Sequence, residues 1–181
     1  MSHTGGREDG CQQTMIIRSL VAADYETVLA LNAESVHFLS PLSAARLAHL
    51  HEQAAVHVVV EQSEQVIAFL LAFREGADYD SVNYQWFDRR YRRFLYVDRV
   101  VVSSRSRSSG VGNRLYEHVF SQAASAGILL VTCEFDVQPP NPASERFHAK
   151  FGFREVGRQV VGAANKTVSL QAATVQATCK Q

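Results

Sequence analysis

The stretch VDRVVVSSRSRSSGVGNRLYEHVF, residues 97–120, constrains this chain more than any other. A β-branched apolar run passes through a serine- and arginine-rich turn, then Gly110-Val111-Gly112, into a segment of helical periodicity. Val111, Leu115, Val119, Ala123 and Ala126 make one core stripe, while Asn113, Arg114, Glu117 and Ser121 lie on other faces. The order strand, glycine turn, helix leaves free main-chain N–H groups at a helix start, where the macrodipole favours an anion. Gly110 and Gly112 carry no Cβ to keep a phosphate away, and Arg107 adds charge-assisted donors. The segment reads as a pyrophosphate cradle, against the plainer alternative of a cationic, solvated connection.

Two familiar phosphate loops do not fit. A Walker A loop ends in Gly-Lys-Ser/Thr, but Asn113-Arg114 follow Gly112. A dinucleotide fingerprint needs a third glycine where Leu115 stands, and it normally follows the first strand of a chain. What remains is Arg107-x-x-Gly110-x-Gly112 behind a strand at 94–102.

Downstream, ILLVTCEFDV at 128–137 reads as a strand, followed by PPNPASERFHAKFGFREVGRQ. The pair of motifs, Arg107-x-x-Gly110-x-Gly112 and then N-x-x-S-x-x-F-H-x-K-x-G-F from Asn141 to Phe153, resembles the GNAT superfamily of acyl-CoA N-acyltransferases. The match covers about 94–157 by motif and the earlier region by element order. The resemblance implies a mixed α/β fold with a mostly antiparallel central sheet and helices on both faces. It also implies acetyl-CoA as cosubstrate, transfer of its acetyl group to a primary amine by direct attack in a ternary complex, and a role for each motif. The main chain of Arg107, Ser108, Ser109, Gly110, Val111, Gly112 and Asn113 would hold pyrophosphate. Val100, Val101 and Val102 would face pantetheine from a splayed strand edge, and Asn141, Ser144 and Phe147 would approach it from the next helix. In one departure, His148 stands where the family usually has the tyrosine that reprotonates the thiolate; an imidazole can do the same near neutral pH.

Transfer to an amine calls for a base. Period-two alternation puts Glu134 on one face with Thr132 and Asp136, opposite Cys133 and Phe135. Asp98 on the preceding strand is the rival base; a hydrogen bond or ion pair, for instance with Arg99, is its structural alternative. The resemblance places substrate contacts between the first two helices, at His37 and Phe38, and in REGADYDSVNYQWFDRRYRR, 74–93, at Tyr79, Tyr84 and Trp86. Segment 74–93 reads as irregular: a substrate-contacting loop or a lid packing its own aromatics.

The rest of the chain fits one domain of 181 residues. A strand at 14–20, helices at 24–34 and 43–53, a hairpin at 55–73 and late strands at 153–161 and 166–172 complete the order, with a single domain over 14–173. Residues 1–13 read as a disordered polar tail and 174–181 as a C-terminal tail. Lys and Arg together number 18, as do Asp and Glu, so no basic field argues for nucleic acid, although Arg89, Arg90, Arg92 and Arg93 keep an RNA-associated domain as a third reading. A noncatalytic acyl-CoA-binding module is the second. Cys11, Cys133 and Cys179 have neither disulfide nor metal spacing, and no run of about 18 apolar residues occurs, which points to a cytoplasmic protein with no membrane partner and no metal. The expected partner is an amine, on a small molecule or on a protein or peptide; a homodimer is compatible with this reading.

Overall fold

The computed structural model describes residues 14–35, 39–162 and 166–176. Seven strands form one sheet in the order β1-β2-β3-β4-β5-β7-β6. They are β1 (Met15–Ser19), β2 (Val56–Gln62), β3 (Gln65–Arg74), β4 (Leu95–Val102), β5 (Leu130–Gln138), β6 (Arg154–Val161) and β7 (Lys166–Thr174). Every pairing is antiparallel except β4–β5. That exception follows from the connection, because parallel neighbours need a crossover and α4 (Val111–Ser125) supplies it. The β2–β3 hairpin turns on Ser63 and Glu64, both at positive φ (50° and 62°), the conformation a two-residue hairpin demands even without glycine.

Both faces of the sheet are covered, so its central strands are continuous apolar runs. Alternation sorts their side chains. Val58, Val60, Ala68, Leu70 and Ala72 join Val111, Leu115 and Val119 of α4 on one face. On the other, Val59 and Phe69 pack with Val28 and Leu31 of α1 (Tyr25–Ala33) and Leu47 of α2 (Ala44–Gln53). Further along that second face, Leu71, Phe73, Tyr96 and Leu170 meet Tyr84 and Phe87 of α3 (Val82–Asp88). The fifth helix, α5 (Pro142–Lys150), lies beside α4 and contributes Phe147 to the first face.

Three local differences from the sequence reading have physical causes. Asp24 does stand at the N-cap of α1, but its side chain caps no α1 N–H: it also ends a 3-10 turn, where its carboxylate accepts the Val21 N–H at 2.9 Å and bonds from Arg18 Nη1 and Nη2. The domain runs past 173: β7 continues to Thr174, and buried Val175 donates its N–H to Leu129. Within 74–93, read as irregular, lies α3. Its residues are poor helix formers, so the helix depends on Ser81, which caps the Tyr84 N–H, and on burial of Tyr84 and Phe87.

The outer side of α3 is fixed by Trp86, whose ring fills the space above Gly157 of β6; a Cβ built there would lie 2.6 Å from Cζ2. Gly157→Val should therefore push Trp86 outward and destabilise the fold by about 1–3 kcal/mol, the usual cost of overpacking. Trp86 is the sole tryptophan. Its emission should shift to the red in the variant, together with a lower Tm; unchanged emission would refute the wedge.

Candidate active site

The site begins where the sheet opens. Strands β4 and β5 pair only through Leu95↔Val131 and Tyr96↔Thr132, although β4 runs on to Val102 and β5 to Gln138. The break has a local cause. Between Leu71↔Arg99 and Ala72↔Val97, Asp98 is an extra residue without a partner on β3, a bulge that bends β4 and increases its twist. Strand β5 meanwhile stays paired with β7 along its length. The facing edges of the two strands beyond Tyr96 and Thr132 are thus open to an extended ligand that can offer hydrogen bonds. The bulge also resets side-chain parity: Val97, Val100 and Val102 all serve the α4 face, whereas Val101 is buried against α1 and α2.

The loop from β4 to α4 leads out of this opening. Ser103 donates its N–H to Ile67 at 2.8 Å and Ser104 donates to the Glu34 carboxylate at 3.2 Å, tying the loop to β3 and α1. Ser108 (φ 66°) and Gly110 (φ 83°) then turn the chain into α4, whose first main-chain bond runs from Arg114 N–H to Gly110 O. Among the described residues the N–H groups of Val111, Gly112 and Asn113 have no main-chain acceptor, as at any helix start. Ser109 Oγ is bonded to the Ser106 carbonyl, and the Arg107 side chain is exposed. The two glycines have different reasons. A Cβ on Gly110 would meet nothing within 4 Å, so that position needs glycine for its left-handed φ. A Cβ on Gly112 would lie 3.3 Å from the Phe147 ring. Gly112 therefore also keeps room for α5 to approach α4.

Both candidate acids lie on the α3 face, near the vertex of the opening. Glu134 Oε1 accepts from Asn83 Nδ2 at 2.9 Å and from the Tyr96 hydroxyl at 3.0 Å, while its buried Oε2 has no hydrogen-bond partner among the described residues. Burial first, and then the nearby Asp98 charge, push the Glu134 carboxyl up to about 8, against the opposing pull of those two donors. Asp98 is held at both oxygens, by Tyr79 Oη at 2.6 Å and Arg99 Nε at 3.1 Å. Burial raises it as well, and the Arg99 charge opposes that rise. Arg99 in turn bonds Asn32 Oδ1 at 2.7 Å and the Ser40 carbonyl at 2.9 Å.

His148 is not an exposed helix residue. It is 8% exposed, stacks on Phe135, and both ring nitrogens are engaged. Nδ1 lies 2.8 Å from the Ser144 carbonyl, which can only accept, so Nδ1 carries the proton; Nε2 then accepts from the Tyr116 hydroxyl at 2.7 Å. Burial lowers its basicity and keeps the ring neutral. Asn141 caps α5 by accepting the Ser144 N–H at 3.1 Å, with Pro142 in the first turn. Phe147 packs edge-on to Tyr116.

The expected substrate residues separate. Tyr84, 1% exposed, binds the Arg74 carbonyl and the Ala77 N–H, so it belongs to the core. Trp86 is the wedge on Gly157, and Tyr79 faces Asp98. In segment 74–93 the aromatics pack on one another, the second of the two readings. His37 and Phe38 lie outside the described residues. Sequence reasoning misses Asn83 and Tyr96, the two donors on Glu134. Tyr96 had a signal, since it lies on Asp98's strand and alternation in β4 turns it to that face; Asn83 had none, being one polar residue in a segment without visible period.

A carboxyl raised in the folded state stabilises the fold fully below its ordinary range, and that stabilisation is lost as pH rises toward about 8. Glu134→Gln should therefore match the parent in Tm near pH 4 and exceed it increasingly up to about pH 8, where the gain in unfolding free energy is on the order of a few kcal/mol. A Tm difference independent of pH would show that Glu134 is not buried as a titrating acid.

Known proteins can be set beside this geometry. Residues 18–153 match the model of the acetyltransferase (GNAT) family. No curated protein sequence matches the chain. Among solved structures, Ard1 from Thermoplasma volcanium superposes with a TM-score of 0.74 at 18% identity, covering 90% of this chain and 98% of that one. The ribosomal-protein-S18-alanine N-acetyltransferase of Escherichia coli gives 0.68 at 14% identity, covering 93% and 98%. The putative acetyltransferase yncA of Salmonella typhimurium, solved with acetyl-CoA, gives 0.69 at 16% identity, covering 90% and 95%. These likenesses are of fold, whereas the family match spans most of the sequence: the chain belongs to the GNAT acetyltransferase family.

Proposed function

We propose that this protein is an acetyl-CoA-dependent N-acetyltransferase acting on a primary amine by direct attack in a ternary complex. One observation carries the reading: an open strand edge, an anion-binding helix start at one end of it, and a buried carboxylate with one free oxygen near its vertex. When bound, acetyl-CoA supplies an acetyl group already activated as a thioester. The N–H groups at 111–113 and the Arg107 guanidinium suit its pyrophosphate, and the free edge of β4 at 100–102 suits its pantetheine. An N–H near Val102 would polarise the thioester oxygen at no cost in side chains. Glu134 Oε2 takes the proton from the amine; Asp98, closed at both oxygens, supports it as a neighbouring charge. His148, neutral and bonded at both nitrogens, serves the α4–α5 packing, and solvent supplies the proton that the departing thiolate takes up.

The second reading, an acyl-CoA-binding module without turnover, draws on that same engagement of His148. Of the arginines behind the RNA-associated reading, Arg90 stacks on Trp86 at 3.8 Å and Arg93 bonds the Ala126 carbonyl, while both stay exposed. No helix among the described residues is long and apolar enough to cross a membrane.

Acetyl-CoA titration followed by thiol release across an amine panel separates these readings. Arg107→Ala should weaken acetyl-CoA binding by about tenfold or more, as for a lost charge-assisted bond. Parent kcat should rise with pH to a plateau above about 8, where Glu134 is ionised. Glu134→Gln should lower kcat by about 10²–10⁴ while sparing acetyl-CoA affinity. Binding without thiol release for every amine would favour the module. In His148→Phe, kcat should stay near the parent's while Tm falls, because the Tyr116 hydroxyl loses its buried acceptor; a collapse of kcat at unchanged Tm would return the acid role to His148.

A further inference from the structure

Glu134 is gripped from outside the sheet. Of its two donors, Tyr96 belongs to β4, but Asn83 comes from the first turn of α3. Asn83 is itself gripped: Gln159 of β6 donates Nε2 to Asn83 Oδ1 at 2.9 Å, and the same Nε2 lies 3.4 Å from the Val82 carbonyl. A carboxamide is a donor on one side and an acceptor on the other. With Oδ1 turned to the Gln159 N–H, only Nδ2 can face Glu134; the opposite sense would set an amide oxygen against a carboxylate and two N–H groups against each other. Gln159 therefore fixes which way Asn83 points. The support is rigid, because Trp86 one turn along α3 is wedged on Gly157, two residues before Gln159 on the same strand.

Segment 74–93 also supplies Tyr79, which closes Asp98 Oδ1, while Arg99 closes Oδ2. The two acids are thereby made unequal. Asp98 has both oxygens filled, and Glu134 has both donors on Oε1 and none on Oε2.

From this arrangement we infer that Asn83 and Gln159 are positioning residues for the base: the β6–α3 relay holds Glu134 by Oε1 and leaves Oε2 as the oxygen that takes the acceptor's proton. The inference rests on the reading of Glu134 as the base. In the step concerned an N–H bond of the acceptor breaks, its electron pair stays on nitrogen, and an O–H bond forms at Oε2, neutralising the carboxylate; no other reactant enters. Asn83 stabilises the carboxylate form, so its loss acts on the proton affinity of Glu134 and not on the opening in the sheet. The other titratable groups around Glu134 are Tyr96 and Asp98 of β4, Tyr79 ahead of α3, Cys133 and Asp136 of β5, and Tyr116 of α4. Arg99 neutralises Asp98 and Lys166 of β7 pairs with Asp136 at 3.1 Å. Tyr79, Asp98 and Arg99 bond one another and Tyr96 bonds Glu134 Oε1, so substitutions in the relay leave those bonds in place.

The test is the pH dependence of kcat at saturating acetyl-CoA, with an amine that the parent turns over. Asn83→Leu should move the acidic limb up by about one pH unit, as expected for the loss of one hydrogen bond to a charged acceptor. Gln159→Leu should move it the same way by less. The double variant should move it no further than Asn83→Leu alone, because Gln159 acts through Asn83. Gln159→Glu should move it more than Gln159→Leu, since an acceptor in that place draws Nδ2 away and turns Oδ1 toward Glu134. If Glu134→Gln keeps full turnover, the base reading itself falls and this inference with it. If Glu134→Gln is inactive but the limb stays put in Asn83→Leu, or the two shifts add, the base stands and the relay does not. Should Asn83→Leu fail to fold, Gln159→Glu on the half-buried edge strand decides alone: an unmoved limb overturns the relay.

Discussion

Most of what this molecule can do depends on a single missing stretch of pairing between β4 and β5. A sheet interrupted at its middle forfeits main-chain hydrogen bonds where they would ordinarily be made, and a chain tolerates that only if something else meets the exposed groups. The extra residue at Asp98 bends β4 off the line of β5, while β7 holds β5 along its whole length, so the gap is set by backbone geometry and not by a loose strand. The same bulge sends Asp98 and Arg99 toward the α1, α2 and α3 side and keeps Val100 and Val102 on the α4 side. One inserted residue thus opens the edge and delivers an acid to its vertex.

Segment 74–93 closes the other side. Its aromatics look like a recognition surface in sequence, but in the fold they insulate. Tyr84 and Phe87 fill the space between α3 and the sheet, with Phe73, Phe94 and Tyr96 around them. That low-dielectric packing raises the Glu134 and Asp98 carboxyls, and two polar groups the segment sends inward, the Tyr79 hydroxyl and Asn83 Nδ2, each bond one of those acids.

Much of this architecture was legible in the residues, for identifiable reasons. The helix after Gly110, the strand bearing Glu134 and the helix capped by Asn141 are all strongly periodic or carry a cap with a known partner, and each lies within two residues of its expected bounds. Alternation put Glu134 opposite Cys133 and Phe135, and it faces α3 while they face α4 and α5. What period cannot convey is a short helix held together by one cap and by burial, which is why α3 reads as irregular. They also cannot tell why a glycine is a glycine. Gly110 and Gly112 look equivalent in the motif, yet one answers to its own φ and the other to a phenylalanine on a different helix. His148 shows the same limit from the other side: its offset from Asn141 suggests a proton donor, but Tyr116, one position after Leu115 in a helix read only for its apolar stripe, occupies its Nε2.

The energetics of Glu134 explain why such a network exists at all. An ionised carboxylate without a partner on one oxygen is a costly thing to bury, and a protein selected for stability alone would replace it with an apolar side chain or complete its hydrogen bonds. Two donors on Oε1 lower that cost without removing it, so the acid remains poised near neutrality instead of either ionising freely or staying protonated. A third donor on Oε2 would lower that cost further and also occupy the atom proposed to accept the amine's proton. Incomplete satisfaction at this oxygen is what distinguishes Glu134 from Asp98, whose comparable burial is matched by a partner on each oxygen.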